Sequence, residues 1–231
     1  VSIGGIFDDL TERLAAQTPP AAEKRYSTLE NFGAEVIYDP DMAQIEMFAM
    51  LEETGVHLHL NTLVEAPVMD VARIAAVTAM DRRGALTFRP RMIVDASGDG
   101  HIAAQAGVPF DLGDASGKMM GVTLSFLLVN APWDQVFAEG DPYFTRHAER
   151  GVAEGRLHPD LSQLYMMKGF HPGTVFCNSV IIRNVDGTDP ASVARATQEG
   201  RRRVAQLVGF LRAEVPGFEN AWMTALGPTV G

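Results

Sequence analysis

The sequence predicts an α/β fold of the mixed α+β kind, on three observations. A helix pattern, a glycine and an alternating strand pattern follow one another without a gap between Pro40 and Asn61. Short alternating segments separated by turns run from Val68 to Ala96, and a long helix with one apolar face follows Asp189-Pro190. With 231 residues, 46% of them hydrophobic, the chain is long enough for one large or two modest domains with a real core.

Taken in order, Ile6 to Leu14 reads as a short helix with Ile6, Leu10 and Leu14 on one face, followed by a loop through Pro19 and Pro20. Ala34 to Tyr38 is a strand. Asp39-Pro40 starts a helix, an acceptor side chain at the N-cap with proline at the first helical position, and Ile45, Phe48 and Leu51 supply its apolar stripe. Gly55 ends it, and Val56, Leu58 and Leu60 alternate with His57, His59 and Asn61 as a half-buried strand. A strand from Val68 to about Ala79, a turn at Asp81-Arg82-Arg83-Gly84, a return strand through Leu86 and Phe88 and a last strand Met92 to Ala96 make a small antiparallel meander.

His101 to Ala106 makes a short helix closed by Gly107, and glycines 113, 117 and 121 mark a loop where a change of domain is expected. Val122 to Leu128 is a strand. Asp134 to Leu164 is polar, with turn signals at Asp141-Pro142 and His158-Pro159, and reads as short helices of a cap. Thr174 to Ile182 is a strand. The helix after Asp189-Pro190 carries Val204, Leu207, Val208 and Leu211 on one face and stops at Pro216-Gly217-Phe218. No internal repeat or low-complexity tract interrupts the chain.

The formal net charge of −10, with Arg201-Arg202-Arg203 the only basic run, makes nucleic acid and anionic membrane poor partners and a small-molecule substrate a better one. The single cysteine, Cys177, excludes an internal disulfide, cannot alone hold a metal or an iron–sulfur cluster, and points to a reducing, cytoplasmic home. No apolar run reaches a membrane span, and the N-terminus lacks the pattern of a signal peptide. The start at Val1-Ser2-Ile3-Gly4-Gly5 and the stop at Thr229-Val230-Gly231 read as those of an internal fragment.

The segment Ile93-Val94-Asp95-Ala96-Ser97-Gly98-Asp99-Gly100 carries the most chemistry. An apolar strand runs into Ala96, Ser97 and Gly98, which leave almost no side-chain volume, so a cofactor can lie against the backbone. Asp99 is then placed to accept a hydrogen bond from a ribityl or ribose hydroxyl. Gly98-x-Gly100-x-x-Ala103 also matches a dinucleotide fingerprint in form, but Val108 to Gly113 goes into loop chemistry where a buried strand ending in an acidic residue is required. The plain reading is a strand end that turns into a helix with no ligand.

Other candidates each have a plain counterpart. His57 and His59 share one face at strand spacing and lack a third metal ligand, so a polar strand face accounts for them and no metal is expected. His171, before Pro172-Gly173, suits a catalytic loop, because a neutral imidazole beside a redox cofactor exchanges protons near neutral pH; a surface turn suits it equally. Arg183 ends an apolar strand, and Arg146, His147 and Arg150 lie together in the cap, places where cations hold carboxylates or simply face water. Arg201 to Arg203 read as helix surface and Cys177 as a small core residue.

Asp-Ala-Ser-Gly-Asp at 95–99 resembles the Asp-Ala-Thr-Gly-Asp motif of FAD-dependent oxidoreductases with the glutathione-reductase-like fold, with Ser97 in place of threonine. Four further stretches resemble that family: Gly4-Gly5-Ile6 and its helix; Tyr38-Asp39-Pro40 through Gly55-Val56; Val185 to Pro190 with the Arg-rich helix and Val215 to Ala221; and Leu226 to Gly231, which resembles the approach to the family's Gly-x-Arg-Glu-Ser-Arg segment. The family's N-terminal Gly-x-Gly-x-x-Gly is absent, and the Arg-Glu-Ser-Arg segment would begin just past Gly231.

The resemblance implies a partial FAD-binding Rossmann-like domain over residues 1–112 and a mixed α+β substrate or cap domain over 113–231, whose C-terminal helix returns to the first. It implies FAD as cofactor, held by Ala96, Ser97, Gly98 and Asp99 with backbone contact to the adenine end from Val64, and hydride or electron transfer between a small-molecule substrate and flavin. His171 and Arg183 are the catalytic candidates. Two other readings stay open: a non-catalytic binding domain that keeps the sheet without cofactor, and an NAD-binding enzyme that uses Gly98 to Ala103. Some relatives carry iron–sulfur clusters, to which Cys177 alone gives no local support.

Overall fold

The computed structural model describes residues 4–26 and 33–231, so the expected internal start at Val1-Ser2-Ile3 lies outside the described residues. The fold is mixed α+β, as expected, and every strand pairing among the described residues is antiparallel. Contacts divide the chain into two compact units, one of residues 1–52 with 118–231 and one of 53–117. The break after residue 117 falls in the glycine loop marked by the sequence, but residues 1–52 group with the C-terminal half, so the compact units cut the chain differently from 1–112 and 113–231.

In the larger unit, α1 (Ile6–Ala15) leads to a hairpin of β1 (Ala22–Tyr26) and β2 (Ala34–Tyr38) and then to α2 (Pro40–Glu53). Asp39 caps α2 as the sequence predicts: its Oδ1 accepts from the N–H groups of Asp41 at 2.9 Å and Met42 at 3.1 Å. Leu14, Ala21, Ala22 and Ala43 form a small core here, while the expected stripe residues Ile45 and Phe48 stay exposed.

The main sheet follows, from β6 (Val122–Val129), β7 (Met166–Lys168), β8 (Val175–Ile182) and β9 (Trp222–Leu226) in the order β7-β8-β6-β9. Leu124, Phe126 and Leu128 of β6 and Val175, Cys177 and Val180 of β8 point to one face and are buried there with α6 (Pro190–Glu214). Asp189 caps α6 by accepting from Ala191 N–H at 2.9 Å and Ser192 N–H at 3.0 Å. The cap segment is α4 (Trp133–Val136), α5 (Thr145–Ala153) and a 3-10 turn at Pro159–Leu161. Its Val136, Phe144 and Ala148 join the same core, so the main sheet has a covered face and an uncovered one.

The smaller unit holds an antiparallel meander, as expected, but of other strands, in the order β3 (Leu63–Asp70), β4 (Arg73–Asp81) and β5 (Gly84–Phe88), followed by α3 (His101–Gln105). The single strand expected from Val68 to Ala79 is two, folded about Val71-Ala72 with Asp70 paired to Arg73 and Val71 at φ +55°. Two expected strands do not form. Val56 to Asn61 and Met92 to Ala96 have strand-like sequences but no strand to pair with among the described residues, and Val56, Leu60, Met92 and Val94 are half or more exposed. A strand exists only as part of a ladder, so the pattern alone does not make one.

Candidate functional site

Within the smaller unit, the segment Asp95 to Gly100 is a turn built by its own side chains. Asp95 Oδ1 accepts from Ser97 N–H at 3.1 Å and its Oδ2 from Ala103 N–H at 2.9 Å, while Ser97 Oγ accepts from His101 N–H at 3.1 Å. The N–H of Ala103, followed by the hydroxyl and N–H of Ser97, stabilises the carboxylate and holds the Asp95 pKa down to about 2. Asp95 is thereby committed to the turn. The N–H groups of His101 and Ala103 at the start of α3 are committed as well, which leaves those two unavailable to a pyrophosphate.

What the turn presents outward is different. Ala96, Ser97, Gly98 and Asp99 are all exposed, and no hydrogen bond occupies the Asp99 carboxylate among the described residues. Gly98 lies at φ +88° with nothing within 4 Å of the place a Cβ would take, so the backbone conformation, not crowding, calls for glycine. His101 Nε2 meets the carbonyl oxygen of Glu65 at 3.1 Å, and Glu65 sits at the irregularity in β3 between Val64 and Ala66. The unit thus ties the helix after the turn to the residue beside Val64, which is 41% exposed. A bare backbone rim with one open carboxylate fits a polyhydroxylated cofactor such as FAD, since it offers an acceptor and close approach without bulk.

The two catalytic candidates, both in the larger unit, are far apart. His171 precedes β8 and Arg183 follows it, and a strand of eight residues spans roughly 26 Å. Arg183 Nε lies 3.4 Å from Asp160 Oδ1, next to Arg203, which is 8% exposed and bonds Asp160, Glu199 and the carbonyl oxygen of Ile181. That cluster fastens α6 to the sheet and the cap. Arg203 is therefore not helix surface, and only the burial of the packed fold reveals it.

His171 Nε2 instead lies 3.0 Å from Asp39 Oδ2, and the N–H of Met42, then the imidazole, lower the Asp39 pKa. The sequence identified Asp39 as a cap and gave no sign of its second partner 132 residues on. His171 lines a cleft of about 630 Å³ between the β1–β2 hairpin and the uncovered face of the main sheet, and Asp39 stands between the lining residues Tyr38 and Pro40. The remaining cap cations are spent: Arg146 and His147 meet Glu139, and Arg150 meets Glu214. His59 packs edge-on against Phe88 at 4.8 Å, and no cluster of potential metal ligands occurs among the described residues. Nor is any of their helices long and apolar enough to cross a membrane.

No curated protein and no solved structure matches the chain. The model of the family described as FAD dependent oxidoreductase matches residues 1–231, the span over which the resemblances of sequence are spread. The chain therefore belongs to the FAD dependent oxidoreductase family.

Proposed function

We propose that the protein is part of a flavoenzyme that moves hydride or electrons between a small-molecule substrate and FAD, with the turn at Ala96, Ser97, Gly98 and Asp99, and Val64 beside it, forming one side of the cofactor site. The observation that carries this reading is the turn itself: Asp95 and Ser97 satisfy its interior, so Asp99 and the Gly98 backbone are free to face a ligand. FAD, when bound, supplies the redox chemistry. The chain supplies a hydrogen-bond acceptor at the Asp99 carboxylate and a small-residue surface for close approach, while Asp95 holds the turn in shape.

The exposed apolar segments at 56–60 and 92–94 support a further part of the proposal, that strands beyond these 231 residues complete the sheet in a glutathione-reductase-like arrangement. On that reading residues 1–231 bind FAD weakly unaided. The NAD reading of Gly98 to Ala103 has less support, because two amides at the start of the helix, those of His101 and Ala103, are taken by Ser97 and Asp95. A reducing, cytoplasmic setting fits the buried, unpaired Cys177.

The test is FAD titration of the natural full-length polypeptide and of its Asp99→Ala variant. Tight binding weakened about tenfold by loss of one hydrogen bond to a charged acceptor supports the site. Equal affinity in the two proteins removes Asp99 from it, and no flavin binding by the folded polypeptide leaves the non-catalytic reading.

A further inference from the structure

The uncovered face of the main sheet is apolar where a soluble sheet normally turns polar residues outward. Leu127, Met167 and Phe176 lie on it, and the β1–β2 hairpin stands over it, leaving the cleft of about 630 Å³. That volume is within the range of roughly 300–1,000 Å³ typical of small-molecule sites. Two polar contacts bind the hairpin side to the sheet side: Arg25 donates to the carbonyl oxygen of Lys168, and Asp39 meets His171.

The charges around the cleft decide what it accepts. Arg25 is paired with Glu35 at 2.9 Å. The Lys168 ammonium rests over the rings of Trp133 and Phe137, 5.6 and 5.7 Å from their centroids. Ser125 donates to Asn178 at 2.9 Å, and the Thr174 hydroxyl donates to the carbonyl oxygen of His171. A cationic ligand would have to compete with Arg25 for Glu35, and an anionic one would meet only cations already engaged, Arg25 with Glu35 and Lys168 with two rings, so a charged ligand is desolvated at a cost that these groups repay only in part. A neutral apolar body meets no such obstacle.

His171 is the exception. The Asp39 carboxylate accepts from Nε2–H, so in the neutral ring the proton stays on Nε2 and Nδ1 is an acceptor with no hydrogen bond among the described residues. We propose that this cleft binds an uncharged, ring-bearing alcohol or phenol, with the ring against Leu127 and Phe176 and the hydroxyl donating to His171. His171 is then a binding residue oriented by Asp39. This deepens the flavoenzyme reading by giving its substrate a chemical class, and it rests on that reading only for the statement that the ligand is a substrate.

The experiment uses three naphthalene probes on the 231-residue chain at neutral pH without FAD, followed by probe fluorescence: 2-naphthol, 2-methoxynaphthalene, which lacks the donor, and 2-naphthoate, which is charged. The expected result is saturable 2-naphthol binding, about fivefold weaker binding of the ether for the lost hydrogen bond, and binding of the carboxylate weaker by at least about tenfold. His171→Ala removes the preference for naphthol over its ether. Ala225→Trp, at an exposed cleft position on β9, weakens all neutral binding about tenfold with unchanged circular dichroism. Absence of 2-naphthol saturation, naphthoate binding as tight as naphthol, an unchanged preference in His171→Ala, or an unchanged affinity in folded Ala225→Trp overturns the proposal. Because flavin is absent, failure here is distinct from failure of the cofactor site, which is read by FAD binding.

Discussion

Replacing Gly169 by alanine would put a Cβ 2.2 Å from Thr174 Oγ1 and 3.0 Å from its Cβ, in the turn that carries His171. Gly169 N–H donates to the carbonyl oxygen of Thr174 at 2.9 Å, and the Thr174 hydroxyl donates to that of His171 at 2.6 Å. The threonine cannot keep both its rotamer and its bond. Losing that hydrogen bond costs about 1 kcal/mol. Displacing a packed turn adds about 1–3 kcal/mol. Gly169→Ala is therefore expected to destabilise the larger unit by about 2–4 kcal/mol in urea unfolding.

Both tryptophans, Trp133 and Trp222, lie in that unit, so their fluorescence reports it alone; Trp133 Nε1 also donates to the carbonyl oxygen of Thr174 at 2.7 Å. Thr174→Ala by itself should cost about 1 kcal/mol. If the clash with Oγ1 is the cause, the double variant loses less than the sum of the singles by about 1 kcal/mol or more. Additivity, or a Gly169→Ala protein within about 0.5 kcal/mol of the parent, would show that the Thr174 hydroxyl does not crowd this position.

Two further outcomes are expected. The Cys177 thiol is fully buried in β8, and burial raises its pKa, so a thiol reagent should react with it only in denaturant; rapid reaction of the folded protein would show the core open at that strand. The Asp95 carboxyl has its pKa lowered from 3.8 to about 2, so its contribution to the turn is complete above the ordinary value and is lost as pH falls through that window. Amide resonances of Ser97 and Ala103 should titrate with a midpoint near 2, and a midpoint at the ordinary value would mean the two hydrogen bonds do not persist in solution.

Much of this architecture was legible because it is local. Asp39-Pro40 and Asp189-Pro190 state where α2 and α6 begin through bonds no more than three residues long, and the four-residue turn at Asp81 to Gly84 sits where expected. The strands that escaped notice lack the usual pattern for physical reasons. β3 contains Pro67, which an interior strand could not hold but an edge strand tolerates; β9 is exposed along most of its length and so shows no alternation; and β1 is largely polar. Val56 to Asn61 and Met92 to Ala96 differ in the opposite direction, with good patterns and no partner strand among the described residues.

The site divides the same way. Asp95 to Gly100 is readable because its hydrogen bonds span at most eight residues. The Asp39–His171 pair and the clasp of Arg25 on Lys168 join positions more than 130 residues apart, and no spacing rule reaches that far. Arg183, promising as a strand-end cation, is held with Asp160 beside the buried Arg203, and only packing distinguishes it from His171.

In the proposed function the turn from Asp95 to Gly100 is one side of a flavin site. The most direct measurement is the visible spectrum and acid-released flavin content of the natural full-length polypeptide as purified, beside a Gly98→Val variant. Valine cannot adopt the φ of +88° found at Gly98 without strain and would bury the bare backbone rim. A yellow parent carrying one FAD and a folded variant depleted of it is the predicted result. A folded, colourless parent, or a variant that retains its full FAD, would rule the turn out as a flavin site.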